Sequence, residues 1–142
     1  MKAEDSAGAE ENPMALEKRK DLFDELFETF EECRVPNWDG YGAQAVSDET
    51  HRLAYEFLTA LPRGTPVPSV GAEPDGHLTV EWYWSPTQTL SVSISADGDL
   101  HFAALLGFTK AYGTEPFMGV VPQIISDLIH RVTAIWNEPF KS

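Results

Sequence analysis

The chain holds one cysteine, Cys33, and only ten lysines and arginines against 23 aspartates and glutamates. A lone cysteine excludes an internal disulfide framework and fits a reducing compartment. The shortage of basic residues leaves a formal net charge of −13 over 142 residues. Such a surface repels phosphate backbones, which argues against direct nucleic-acid binding; it permits a basic protein partner, or less often mimicry of nucleic acid. No run approaches the 18 or so apolar residues of a membrane span. The start, M-K-A-E-D-S-A-G-A-E-E-N-P, lacks the apolar centre of a signal peptide. The expected location is therefore cytoplasmic, with residues 1–13 frayed and 14–142 forming one domain.

Metal and cofactor signatures are equally sparse. His51, His77, His101 and His130 show no paired ligand spacing, and Cys33 has no cysteine or histidine nearby. No G-x-x-x-x-G-K-[ST] stretch is present to cradle a phosphate. The expectation is no cofactor, no metal and no catalytic residue.

What is present suffices for a real core: 42% apolar and 11% aromatic residues. Residues 14–33 space Leu16, Leu22, Phe23, Leu26, Phe27 and Phe30 at helical steps, with Asn12-Pro13 as the start and Pro36 beyond the end. A second helix is predicted over 48–61, capped by Ser47 and buried through Leu53, Ala54, Phe57, Leu58 and Leu61. A third is predicted over 119–137, apolar round more than half its circumference from Val121 to Trp136. That surplus suits a central helix, or alternatively a homodimer formed through the C-terminal helix.

Between the second and third helices the period changes to two. Leu78, Val80, Trp82 and Trp84 form one apolar series, Leu90, Val92 and Ile94 another, and Leu100, Phe102, Ala104 and Leu106 a third. A two-residue turn at Asp97-Gly98 would set apolar opposite polar at every pair, whereas a three-residue loop pairs Ile94 with Leu100 and Val92 with Phe102. The same device at Pro74-Asp75-Gly76 pairs Ala72 with Leu78 and Val70 with Val80. The predicted fold is α+β: two N-terminal helices, a meander of about four antiparallel strands and a C-terminal helix, the helices packed on one sheet face. Burial of Trp82, Trp84, Phe102 and the C-terminal helix is expected to dominate stability.

Three regions stand out as candidate partner-binding surfaces. The segment N-W-D-G-Y-G-A, residues 37–43, crowds Trp38, Asp39 and Tyr41 among two glycines. Its single carboxylate is too little for calcium, which takes six to eight oxygens, so a structural corner with its rings against the sheet is expected. The second region is the polar sheet face, where the predicted register sets Glu81, Ser93 and His101 side by side, with Tyr83 on the same strand. They do not read as a triad, because Ser93 rather than His101 would lie in the middle. Glu25, Glu28 and Glu32 give the first helix an acidic side that could dock a partner.

The corner, the helix opening S-D-E-T, the extended P-V-P, the turn P-D-G and the strand ending V-E-W together resemble a group of small uncharacterised bacterial proteins. The resemblance spans roughly residues 37–95, implies an α+β domain of bacterial or phage type, and carries over no catalytic residue. The leading expectation is a non-enzymatic acidic binding protein: an inhibitor, an antitoxin-like or immunity-like partner, or an assembly factor. The alternatives are a small-ligand binder or enzyme using the Trp38–Tyr41 corner, and a nucleic-acid mimic acting through its acidic surface.

Overall fold

The computed structural model describes residues 16–133, with side chains from residue 18 onward. Among the described residues three helices, α1 (Leu16–Cys33), α2 (Asp48–Ala60) and α3 (Gln123–Val132), accompany five strands: β1 (Ser69–Ala72), β2 (Leu78–Ser85), β3 (Gln88–Ile94), β4 (Asp99–Leu106) and β5 (Thr109–Pro116). The strands form one antiparallel sheet in the order β1-β2-β3-β4-β5, an unbroken meander. The architecture is α+β, with five strands rather than four.

Both three-residue turns form as their sequences require. Gly76 and Gly98 take φ values of 90° and 88°, a region open to glycine and costly for other residues. Asp75 and Asp97 each turn Oδ1 back to accept the N–H two residues on, from His77 at 3.1 Å and Asp99 at 2.9 Å. The resulting register sets Ala72 opposite Leu78, Val70 opposite Val80, Ile94 opposite Leu100, and Val92 opposite Phe102.

The register gathers Leu78, Val80, Trp82, Leu90, Val92, Ile94, Leu100, Phe102 and Ala104 into one buried cluster with Leu22, Leu26 and Phe30 of α1, Leu53, Phe57 and Leu58 of α2, and Ile125, Leu128 and Val132 of α3. Trp82 is held by its edge as well as its area, since the indole Nε1–H donates to the Pro66 carbonyl at 2.7 Å. Ser47 caps α2 as expected, its hydroxyl accepting the Thr50 N–H at 3.1 Å. Glu25 of α1 reaches over the outer edge of the sheet and accepts the Val70 N–H of β1 at 3.2 Å.

Several expectations are corrected. Trp84 does not join the core: the β2–β3 register shifts between Tyr83 and Ser85, and the residue in that irregularity is 38% exposed. Phe27 of α1 is exposed, outside the buried stripe of Leu22, Leu26, Phe30 and Cys33. The third helix starts at Gln123, not 119, because Gly119 takes a φ of 91° and Pro122 stands at the cap. Ile124, expected in its buried stripe, is 42% exposed. The third helix also ends at Val132, with Thr133 at its C-cap, rather than running to 137; the proposed start of the first helix at Asn12-Pro13, and Ile135 and Trp136, lie outside the described residues.

The missed strand is β5. Its core-side positions are Ala111, Gly113 and Glu115, too small or too polar to read as a buried alternation. They can be small because Phe102 lies over Gly113, where an added Cβ would come within 2.8 Å of the ring.

Candidate functional site: the open face of the sheet

Every second residue of the strands points away from the core. Across β2 to β5 these residues form rows: Thr79, Ser93, His101 and Thr114; then Glu81, Ser91, Ala103 and Tyr112; then Tyr83, Thr89, Leu105 and Lys110. Glu81 and Ser93 are therefore not side by side. The β2–β3 turn pairs Glu81 with Ser91 and Ser93 with Thr79, which displaces Glu81 by one row from the expected trio.

The face has two unlike ends. At one, Tyr83 and Tyr112 are 62% and 81% exposed, with Leu105 in reach of the same rows and Phe108 at the β4–β5 turn. Small residues, Ser91 and Ala103, lie between Glu81 and Tyr112, so the aromatic side chains stand above a low surface.

At the other end the β1–β2 and β3–β4 turns bring carboxylates and imidazoles together. Extending the β1–β2 register one pair outward sets Glu73 against His77, and the Glu73 N–H donates to the His77 carbonyl at 2.9 Å. The Glu73 carboxylate accepts hydrogen bonds from the hydroxyls of Ser93, at 2.7 Å, and Thr79. Ser93 is thus committed to Glu73 rather than to a histidine. His77 Nδ1 stands 3.6 Å from Asp75 Oδ2. The His77 and His101 rings lie nearly parallel, 6.1 Å apart, and His101 Nδ1 is 3.0 Å from the Thr114 hydroxyl. The Asp97 carboxyl is held below its ordinary range, first by the Ser95 hydroxyl, then by the Asp99 N–H, with smaller help from the two imidazoles.

The Asn37–Ala43 corner packs against this same end, where Gln44 donates its N–H to the Pro74 carbonyl at 2.8 Å. Asn37 adopts a φ of 61°, and its Oδ1 accepts the Gly42 N–H at 2.6 Å. Asp39 Oδ1 accepts the N–H groups of Tyr41 and Ala43, and Trp38 donates Nε1–H to the Gln44 carbonyl. Trp38 is half-buried against the core, whereas Tyr41, expected to bury its ring, is 91% exposed. The turn that Asp39 and the glycines close points the ring outward.

The acidic side of α1 is divided. Glu28 and Glu32 are exposed, while Glu25 is half-buried and spent on Val70. Cys33 is 5% exposed, and burial, then the neighbouring Glu32, pushes its thiol pKa up. Apart from the sheet, Pro62, Thr65, Ile129 and His130 help line a cavity of about 210 Å³ between the α2–β1 connection and α3.

The turn end was readable in principle. Once Ala72 is set against Leu78, the next pair must be Glu73 and His77 on one face, with Asp75 at the tip. Tyr112 was not readable, because β5 itself was not. Comparison with protein-family models, curated proteins and solved structures found no match. No helix among the described residues is long and apolar enough to cross a membrane.

Proposed function

We propose that this chain is a non-enzymatic binding module that takes a basic protein partner across the open face of its sheet. The observation that carries the reading is the pairing of two exposed tyrosines, Tyr83 and Tyr112, with a low small-residue floor between strands. Tyrosines so presented supply large contact area at little cost in side-chain entropy, as in the anchors of protein interfaces. Charge chooses the partner. The face bears Glu73, Glu81 and Asp99 with Asp75 and Asp97 in the adjoining turns, against Lys110 at the far end. A basic surface would meet this field favourably, and steering would speed encounter most at low salt. The helices lie on the other face in this reading, and the compartment is the cytoplasm. The module acts as an inhibitor, an antitoxin-like or immunity-like partner, or an assembly factor.

The two other readings have less behind them. The corner's Asp39 and Asn37 are occupied with backbone amides of their own loop. A nucleic-acid mimic needs α1 carboxylates free to stand in for phosphates, and Glu25 is bonded to β1.

A photo-crosslinking amino acid placed at Tyr83, at Tyr112 and at the control position Glu28 tests the proposal in the organism of origin. Cross-links should form from the two sheet positions and not from Glu28. With the captured partner purified, Tyr83→Ala or Tyr112→Ala should weaken binding by about tenfold or more, and added salt should weaken it further. Equal cross-linking from Glu28, or affinities unmoved by both substitutions, would refute the placement.

A further inference from the structure

We infer that the Glu73–Asp75–His77 hairpin, completed by His101, is a binding site for a divalent transition metal, with zinc the best fit. Donor atoms of the first three residues lie within 4.8 Å of one another. Ligands around a tetrahedral zinc with bonds of about 2.1 Å stand roughly 3.4 Å apart, so the widest gap among these three has to close by no more than about 1.4 Å. The backbone is already set. The Glu73 N–H to His77 carbonyl bond closes the loop, and the Gly76 N–H donates to the Glu73 carbonyl at 2.9 Å. Residues 73, 75 and 77 therefore leave one short turn toward one side.

The donors are also oriented from outside the hairpin. Ser93 and Thr79 both bond Oε2 of Glu73, which fixes the carboxylate and leaves Oε1 for an ion. Thr114 stands at Nδ1 of His101, a contact that orients this ring and leaves Nε2 as its free donor. His101 comes from β4 and stands outside that three-residue group: its ring runs parallel to that of His77 with centres 6.1 Å apart, and it must swing inward to complete the shell. Two imidazoles with two carboxylates match zinc, cobalt, nickel or copper, whereas calcium and magnesium prefer an all-oxygen shell. This departs from the sequence expectation of no metal site, which compared spacings along the chain. Only the β3 strand between them brings His77 and His101 into adjacent rows.

The test uses the full, untagged chain after dialysis against chelator. Zinc chloride and calcium chloride are titrated separately by calorimetry, and the imidazole nitrogen resonances of His77 and His101 are followed by NMR. Expected are one zinc per chain with micromolar or tighter affinity, shifts at both imidazoles, and no comparable uptake of calcium. His77→Ala, Asp75→Asn and His101→Ala should each weaken zinc by about tenfold or more. Melting curves on each variant, with His77→Gln as a second replacement, separate loss of the site from loss of the fold. No saturable uptake at millimolar zinc overturns the inference, and so does uptake unchanged by folded His77 or His101 variants.

Discussion

Replacing Gly113 with alanine should destabilise the protein, although glycine inside a strand is ordinarily a weakness that alanine repairs. Gly113 lies in β5 opposite Phe102 of β4, and its φ is not in the left-handed region, so the backbone does not require glycine there. Removing a glycine's extra freedom in the unfolded chain should contribute about 0.4–1 kcal/mol of stability. Against this stands a steric term. An alanine Cβ would lie 2.8 Å from Cζ of Phe102 and 3.2 Å from Cε2. Ordinary carbon contacts begin near 3.5 Å, so the ring must retreat by roughly 0.7 Å. Phe102 is 8% exposed within the main core cluster, and overpacking of this kind costs about 1–3 kcal/mol. The net loss is about 0.5–2 kcal/mol, a fall in Tm of roughly 2–6 °C for a domain of this size.

Urea unfolding of a double-mutant cycle isolates the cause. Phe102→Leu removes the far end of the ring, and the penalty of Gly113→Ala should shrink by about 1 kcal/mol or more in that background. Two results would refute the reasoning: a Gly113→Ala protein at least as stable as wild type, or a penalty that is the same with and without the phenylalanine ring.

Three further outcomes are expected. Trp82→Phe keeps most of the buried area but leaves the Pro66 carbonyl without its indole donor, so chemical denaturation should register a loss of about 1–3 kcal/mol. Asp39→Ala removes the acceptor of two loop amides and should cost about 1–2 kcal/mol, while Tyr41→Ala, at a ring facing solvent, should fall within about 0.5 kcal/mol of wild type in the same assay. His51 stacks on Phe30, with ring centres 4.2 Å apart, and its pKa is lowered chiefly by burial and then by Arg34, against the pull of Asp48 and Glu31. The unfolded chain therefore binds a proton at His51 more readily than the folded one. This contribution to stability is intact above about pH 6.5 and is lost as pH falls through the lower folded value, so His51→Phe should flatten the pH dependence of Tm between neutral and mildly acidic buffer.

The parts of the fold that the sequence disclosed are those where one local rule acts alone. Apolar alternation and D-G turn chemistry act within a few residues, and they place Leu78, Val92 and Phe102 on their correct pairs. Ser47 and the apolar positions of α2 are legible for the same reason. The failures occur where a residue answers to a neighbour remote in the chain. Gly113 is small because Phe102 fills its space, so β5 shows no apolar rhythm. Trp84 breaks its alternation at a register shift that depends on how β2 meets β3. Glu25 has the look of a solvated helix residue, yet its partner is Val70, 45 positions away. The candidate site divides in the same manner: Tyr83 and His101 followed from alternation, whereas Glu73 needed one more step of register and Tyr112 a strand that left no pattern.

The two edges of the sheet bear on which surface a partner would use. An uncovered edge strand offers its backbone to any extended chain, and proteins restrain that offer with covering groups, lysine or proline. On β1 the Glu25 carboxylate takes the Val70 N–H, so a backbone donor along that edge is already engaged. On β5 the eight residues include Lys110, Gly113 and Pro116; the lysine must stay solvated, and the proline has no N–H to give. An added strand would therefore gain an incomplete ladder at either edge. The open face has no such handicap, since contacts there would come from the side chains of Tyr83, Tyr112 and Glu81 and require no free backbone group. A partner gripping side chains rather than backbone should tolerate proline at the β5 positions whose N–H faces away from β4 far better than loss of either tyrosine.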